Sequence, residues 1–131
     1  MAHKLKALQA YRPKIQNERR METDDIVEYI ARGTSLNPGE IGNVIKELQG
    51  TILFFTRRGN SVTIKGLGTY YPGIKLDGSI TLNHLMDAHL RKSINVPEEF
   101  KASILHNENK GKTYAELIEI WNTEHPTDPI V

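Results

Sequence analysis

Apolar residues recur at helical spacing in two long stretches and at strand spacing in the stretch that follows them. From Thr23, the residues Ile26, Val27, Ile30 and Ala31 make one apolar stripe. Thr23 is placed to cap it, and Asp24 and Asp25 fall in the first turn, where carboxylates meet the positive end of the dipole. Gly33 supplies the stop, so the pattern predicts a helix over residues 23–32. Asn37-Pro38-Gly39-Glu40 is a second start signal, with Asn37 as cap, Pro38 at the first helical position and Glu40 reaching back to the Asn37 backbone. Ile41, Val44, Ile45, Leu48, Ile52 and Phe55 follow, predicting a long amphipathic helix to about Arg57. Phe54 falls off that stripe, where it packs on its own core or on a second chain.

After Gly59-Asn60 the period changes. Val62 and Ile64 alternate with polar residues as in a strand, and Gly66-Leu67-Gly68 reads as a sharp turn. Tyr70, Tyr71 and Ile74 carry a further strand to Asp77-Gly78, a hairpin-turn dipeptide. Ile80 to Met86 fits no single period, and His89 to Val96 reads as a returning strand. Pro97-Glu98-Glu99 opens a short helix burying Phe100, Ile104 and Leu105; Asn107 to Lys112 is a polar break. Thr113 and Glu116 then make a capping box ahead of a helix with Leu117, Ile118 and Trp121. At the other end, His3 to Tyr11 is open between strand and helix, Pro13 ends it, and Lys14 to Arg20 reads as a polar linker. The order is that of an α+β protein.

At 131 residues the chain has room for one domain and a small appendage. Its hydrophobic fraction, 38%, is low, which implies a thin core or one completed by a partner chain. The absence of cysteine excludes disulfide scaffolds, thiolate metal sites and cysteine nucleophiles. The longest apolar run, Ile52 to Phe55, is far short of the ~18 residues of a membrane helix, and the first twenty residues lack the apolar segment of a secretory signal. The expectation is a soluble, cytoplasmic protein. Net charge is only +1, but it is unevenly spread: residues 1–20 sum to +5 and residues 113–131 to −4. A polyanion-binding surface explains this; so does ordinary solvated charge with head and tail close together.

Little points to catalysis. Gly66-Leu67-Gly68 lacks the third glycine and the following helix of a dinucleotide site, and reads instead as a strand corner passing close to another backbone. His84, Asp87 and His89 could hold a metal only on an irregular loop, and His3, His106 and His125 are scattered. No serine sits in a nucleophile elbow, and Glu98 and Glu99 suit a helix first turn. The expectation is therefore no enzyme and no cofactor.

Taken together, residues 21–71 resemble the HU/integration-host-factor family of bacterial histone-like DNA-binding proteins. The likeness lies in the short helix Thr23 to Arg32, Leu36-x-x-x-Glu40, the long helix, Gly59-x-x-Val62-x-Ile64, and Gly66-Leu67-Gly68-Thr69-Tyr70 where the family has Gly-Phe-Gly-Thr-Phe. Ile94-x-x-Pro97-x-x-Phe100-Lys101-x-x-Ile104 is similar to the family's closing segment. The lead-in, His3 to Pro13, resembles the N-terminal extension of a divergent branch typical of Bacteroides-type bacteria.

The resemblance implies an HU-like fold: two N-terminal helices, a three-stranded antiparallel sheet with an arm, C-terminal helices, and an intertwined homodimer. It implies a nucleoid protein that condenses and bends double-stranded DNA without sequence preference, through Lys and Arg on phosphates and an apolar wedge between base steps. The phosphate contacts would be Lys65 and Lys75 on outgoing strands, Arg91 and Lys92 on the return, Lys101 on the closing helix, and Arg57 and Arg58 at the end of the long helix. Lys4, Lys6, Arg12, Lys14, Arg19 and Arg20 would add a second basic strip. The family's Arg-Asn-Pro wedge is absent, and the stretch from Tyr70 to Ile94 is shorter than usual, with Leu76-Asp77-Gly78 or Leu82 to Met86 at its tip. This divides the chain into a basic extension (1–20), an HU-like domain (21–106) and an acidic helical extension (107–131). Two other readings stay open: a dimeric protein-interaction module that has lost DNA binding, its acidic last helix docking or masking the basic surface, and a metal-dependent enzyme using His84, Asp87 and His89.

Overall fold

A computed structural model describes residues 4–131, as two units: Arg20–Phe100, and a second formed by the flanking stretches 4–19 and 101–131. The elements are α1 (Lys4–Tyr11), β1 (Lys14–Ile15), α2 (Thr23–Arg32), α3 (Pro38–Thr56), β2 (Val62–Ile64), β3 (Gly68–Ile74), β4 (Ile80–Met86), α4 (Ala88–Ile94), β5 (Ile104–Leu105) and α5 (Tyr114–Glu124), with a 3₁₀ turn at Asn107–Asn109. His3 lies outside the described residues.

In the 20–100 unit, α2 and α3 keep the expected bounds, with one shift. The cap of α2 is Glu22, one residue before Thr23: its backbone N–H donates to Asp25 Oδ2 at 2.9 Å, in a box that the longer acidic side chain closes with the third helical residue. For α3 the cap is Asn37, whose Oδ1 accepts the Glu40 N–H at 2.9 Å; Glu40 answers through the Asn37 side chain rather than its backbone. Val27 and Ile41 are buried, while Ile30, Ile45, Leu48 and Ile52 are half-buried. Along α3, Val44 near its start and Phe54 and Phe55 near its end stay exposed.

Strands β2, β3 and β4 form an antiparallel sheet in that order, with Val62 opposite Tyr70 and Tyr70 opposite His84. Ile80–Met86, which fits no period in sequence, is the outer strand; its partner ladder, not its own pattern, fixes it. The expected arm is a tight hairpin: Gly78 N–H donates to the Lys75 carbonyl and Lys75 N–H to Ser79, so Leu76-Asp77-Gly78 is the tip and Leu82 to Met86 is not. Gly78 takes the left-handed φ of +89° that this turn requires. The corner at Gly68 behaves as expected of a close backbone approach. Its φ is +153°, and a Cβ there would collide with the Leu85 carbonyl and the His84 ring.

Two expected elements differ. His89 to Val96 is not a strand: Asp87 Oδ2 accepts the N–H groups of His89 and Leu90, so the chain starts the helix α4 there. Pro97 to Glu99 makes only a turn, and Ile104–Leu105 is a strand paired with Lys14–Ile15, which the reading of Lys14 to Arg20 as a linker had missed.

In the other unit, head and tail pack together. Helix α1 lies on α5, with Ala7, Leu117 and Ile130 buried and Leu8, Tyr11, Ile118 and Trp121 packed around them. The expected capping of α5 is present, Thr113 Oγ1 accepting the Glu116 N–H at 3.3 Å. The C-terminal residues fold back: Asn122 receives the Ile130 N–H (2.7 Å) and donates to its carbonyl (3.1 Å), and Trp121 Nε1 donates to the Asp128 carbonyl. Lys6 pairs with Asp128 at 3.6 Å, so part of the head's positive charge is matched locally by the tail.

Candidate nucleic-acid interface

Residues opposite one another in an antiparallel ladder share a face of the sheet. One face therefore carries Val62, Tyr70, His84, Pro72, Leu82, Ile74 and Ile80, and the other Thr63, Thr69, Leu85, Tyr71, Asn83, Gly73 and Thr81. The first, the core face, meets α3 only in its middle: Tyr70 and Leu82 line an apolar groove with Ile45, Leu48, Ile52 and Leu53, while Ile74, Ile80 and His84 stay exposed. The second is predominantly polar and bears no carboxylate. Thr63 and Thr69 join hydroxyls across the β2–β3 pair at 2.9 Å, and Asn83 Nδ2 donates to Thr81 Oγ1 at 3.4 Å. Hydroxyl, amide and phenol groups so arranged can donate hydrogen bonds to phosphate oxygens.

The cations stand around this face rather than on it. Lys65 lies in the turn between β2 and β3, at the Gly68 end, and Lys75 in the turn at the far end of the seven-residue β3. Neither is on a strand, because backbone bonds Leu67 N–H to Ile64 and Gly78 N–H to Lys75 close turns there. Arg91 and Lys92 sit in the last turn of α4, not on a returning strand. Arg91 lines a shallow hollow with Thr63, Thr69, Leu85 and Asp87, which places it beside the paired hydroxyls. Asp87 is engaged as the α4 cap and is bound by its N–H to the Leu67 carbonyl, fixing α4 to the Gly68 corner. Lys65 and Arg91 thus share one end of the sheet and Lys75 marks the other.

The remaining predicted positions differ in kind. Arg57 is the cap residue of α3. Arg58 folds back on the helix: its guanidinium lies 3.6 Å over the Phe54 ring and Nη1 donates to the Phe54 carbonyl at 2.7 Å. Phe54 itself stays half exposed, with the Phe55 ring packed edge-on at 5.2 Å. Lys101 lies outside any helix and in the other unit, since no closing helix forms there. The proposed metal ligands are dispersed: His84 packs on Tyr70 across the core face (4.5 Å between rings), Asp87 caps α4, and His89 lies beside Ser93. Among the described residues no group of three such ligands is placed to hold a metal.

At the hairpin tip Leu76 is fully exposed, and Ile74 and Ile80 behind it nearly so. Asp77 holds this turn by accepting from the Ser79 hydroxyl (2.6 Å) and N–H (2.9 Å), bonds that lower its carboxyl below the usual range. Sequence reasoning counted cations and missed the polar face itself. Its signal was present in Thr81 and Asn83 alternating with Leu82 and His84, once Ile80–Met86 is known to be a strand.

Helices packed under one face of a three-stranded antiparallel sheet, with the opposite face open and cations at its ends, define an α+β fold of the HU type. The model of a family described as "HU domain fused to wHTH, Ig, or Glycine-rich motif" matches residues 2–105. The chain belongs to that family of HU domains. No curated protein matches it. No helix among the described residues is long and apolar enough to cross a membrane.

Proposed function

We propose that the protein is a non-enzymatic, architectural DNA-binding protein that grips duplex DNA as a homodimer without sequence preference. The observation that carries this reading is the open face of the sheet: its strands carry no carboxylate, Lys65 and Arg91 stand at one end and Lys75 at the other, and the Asp87 carboxylate beside Arg91 is engaged in capping α4. Phosphate contacts from these cations, with Lys92 in the last turn of α4 and Arg57 at the end of α3 adding to them, give affinity without base readout. Lys101 and the basic head residues serve as a secondary strip.

The homodimer is supported by surface area. The chain exposes 10679 Å². A folded monomer of 14.9 kDa exposes about 7,000 Å², and two independently folded units of 81 and 50 residues about 8,400 Å². The excess of roughly 2,000 Å² is on the scale of an obligate interface. Apolar side chains account for much of it in the 20–100 unit, among them Tyr29 (79% exposed) and Val44 (62%). A second copy seated on the exposed apolar residues of α2 and α3 buries them.

Bending falls to Leu76. In place of a proline wedge, the short hairpin offers a fully exposed leucine at its tip, and leucine is among the side chains that part base steps. The test is energy transfer across an end-labelled ~30-base-pair duplex. Wild-type protein shortens the end-to-end distance; Leu76→Ser binds and bends less. Binding with no change in transfer would overturn the bending role and leave a duplex-coating protein.

A further inference from the structure

We propose that the outer edge of the sheet, strand β4, pairs with β4 of a second dimer lying beside it on DNA, joining the two sheets into one. This rests on the DNA-binding reading and adds an interaction surface to it, whose partner is another copy of this chain.

The two ends of the β3–β4 ladder set its phase: Lys75 N–H donates to the Ser79 carbonyl, and Asp87 N–H to the Leu67 carbonyl. Bonded pairs alternate along an antiparallel ladder. The backbone groups of Thr81, Asn83 and Leu85 therefore face β3, and those of Ile80, Leu82, His84 and Met86 point away from it. Among the described residues no hydrogen bond meets these outward groups. Elsewhere the sheet guards its edges. Strand β2 is only three residues long and runs into Lys65, and beyond its end β3 presents Pro72, which has no N–H to offer. β4 has no such guard: Ile-Thr-Leu-Asn-His-Leu-Met contains no proline, glycine, lysine, arginine or carboxylate. Ile80 (78% exposed), Leu82 and Met86 stand open to solvent along it. An unguarded apolar edge of this length is a template for another strand.

The strand that fits it is β4 itself. Placed antiparallel about Asn83, every outward residue finds a counterpart: Ile80 meets Met86 of the second copy and Leu82 meets His84, with no like charges opposed. Asn83 falls opposite Asn83, so the polar faces of the two sheets lie on the same side and make one surface whose strands carry no carboxylate. The same pairing brings the Lys75 end of one sheet alongside the Lys65 and Arg91 end of the other. Those cations repel in the free protein, and a phosphate backbone laid across them removes the repulsion. A pair of seven-residue strands also buries less than the roughly 1,200 Å² of a stable interface, so it joins dimers that DNA already holds side by side. Each dimer carries two such edges, so the pairing continues along the duplex.

The experiment compares a ~30-base-pair duplex, with room for one dimer, and a ~60-base-pair duplex, with room for two, by native gel and anisotropy. Wild-type protein fills the longer duplex cooperatively, the second dimer binding on the order of ten-fold more tightly than the first. Ile80→Pro removes an outward N–H and no bond to β3, so it keeps its affinity for the short duplex and loses this advantage. A cross-linking arm is independent of any folding defect in that variant. The chain has no cysteine, so an equimolar mixture of Ile80→Cys and Met86→Cys proteins can form a disulfide only between the two introduced thiols. Mild oxidation links them on the longer duplex, since a bonded antiparallel pair sets Cα atoms about 5.5 Å apart, within disulfide reach. Ile80→Cys alone gives no linked pair. Independent filling by wild type, undiminished cooperativity in Ile80→Pro, or no linked pair in the mixture overturns the pairing between copies while leaving duplex binding intact. Failure to bind the short duplex overturns the DNA reading beneath it too.

Discussion

Replacing Arg91 by alanine separates a phosphate-binding role from ordinary surface charge. Arg91 is exposed, makes no structural ion pair shown in the fold, and lines the hollow beside the Thr63 and Thr69 hydroxyls. One phosphate contact per protomer means two per dimer. Each contact contributes about 0.9 to the slope of log affinity against log salt, so the slope falls by about 1.8. At 0.1 M salt the same two contacts are worth roughly 60-fold in affinity. The loss is uniform across sequences, because no base is read. The assay is an anisotropy titration at several salt concentrations, with circular dichroism to show that α4 is retained. Arg58→Ala is the internal comparison: its guanidinium is held against Phe54, so the variant lowers thermal stability at the end of α3 and changes the slope less. An unchanged slope in Arg91→Ala, or a larger change in Arg58→Ala, would refute the placement of the phosphates at the Gly68 end of the sheet.

Val44→Glu puts a charge among the exposed apolar residues of α3 and should convert the dimer to a 14.9 kDa monomer in sedimentation at micromolar concentration; an unshifted dimer places the interface elsewhere. Gly68→Ala meets both a φ of +153° and the Leu85 carbonyl, and should cost about 1–3 kcal/mol from conformation alone, read as a lowered melting temperature. The Tyr11 hydroxyl, pushed up to about 12 by its burial and by donating to Glu124 Oε2, favours the fold while neutral. Its stabilisation is complete below pH 10 and is lost as pH rises from 10 to 12, so melting of the α1/α5 unit should fall across that window, and Tyr11→Phe should flatten the fall. Leu117→Ala should cost that unit about 2–5 kcal/mol, because α5 is half of its core rather than a detachable tail.

The helices α2, α3 and α5 were legible because each couples an apolar stripe to a cap chemistry that only a helix start satisfies: Asn37 with Pro38, and Thr113 with Glu116. The glycine corner was legible because Gly68 permits a backbone approach that any Cβ blocks. What escaped was set by partners distant in sequence. Lys14–Ile15 becomes a strand through pairing with Ile104–Leu105, ninety residues away, and nothing local in either dipeptide announces it. In Ile80–Met86 the alternation runs only to His84 and then breaks at the exposed pair Leu85-Met86, so the partner ladder rather than the local pattern sets its length. His89 to Val96 looked like a strand, but the Asp87 cap and the spacing of Leu90 and Ile94 favour a helix. At the candidate interface, sequence gave the cations, whose long side chains advertise themselves. The uncharged face between them required the register, since only pairing shows that Thr69, Tyr71 and Asn83 look the same way.

The central claim is that this HU-type fold holds duplex DNA through phosphates. Its most direct test is the affinity of the full chain for a ~30-base-pair duplex of arbitrary sequence, measured by anisotropy between 50 and 200 mM salt. With about six to ten phosphates neutralised per dimer, binding at micromolar concentration or below should weaken by about 10³–10⁵-fold across that range, alike for unrelated sequences. No binding at 50 mM salt, or an affinity indifferent to salt, would contradict the account and leave the dimer as a protein-interaction module.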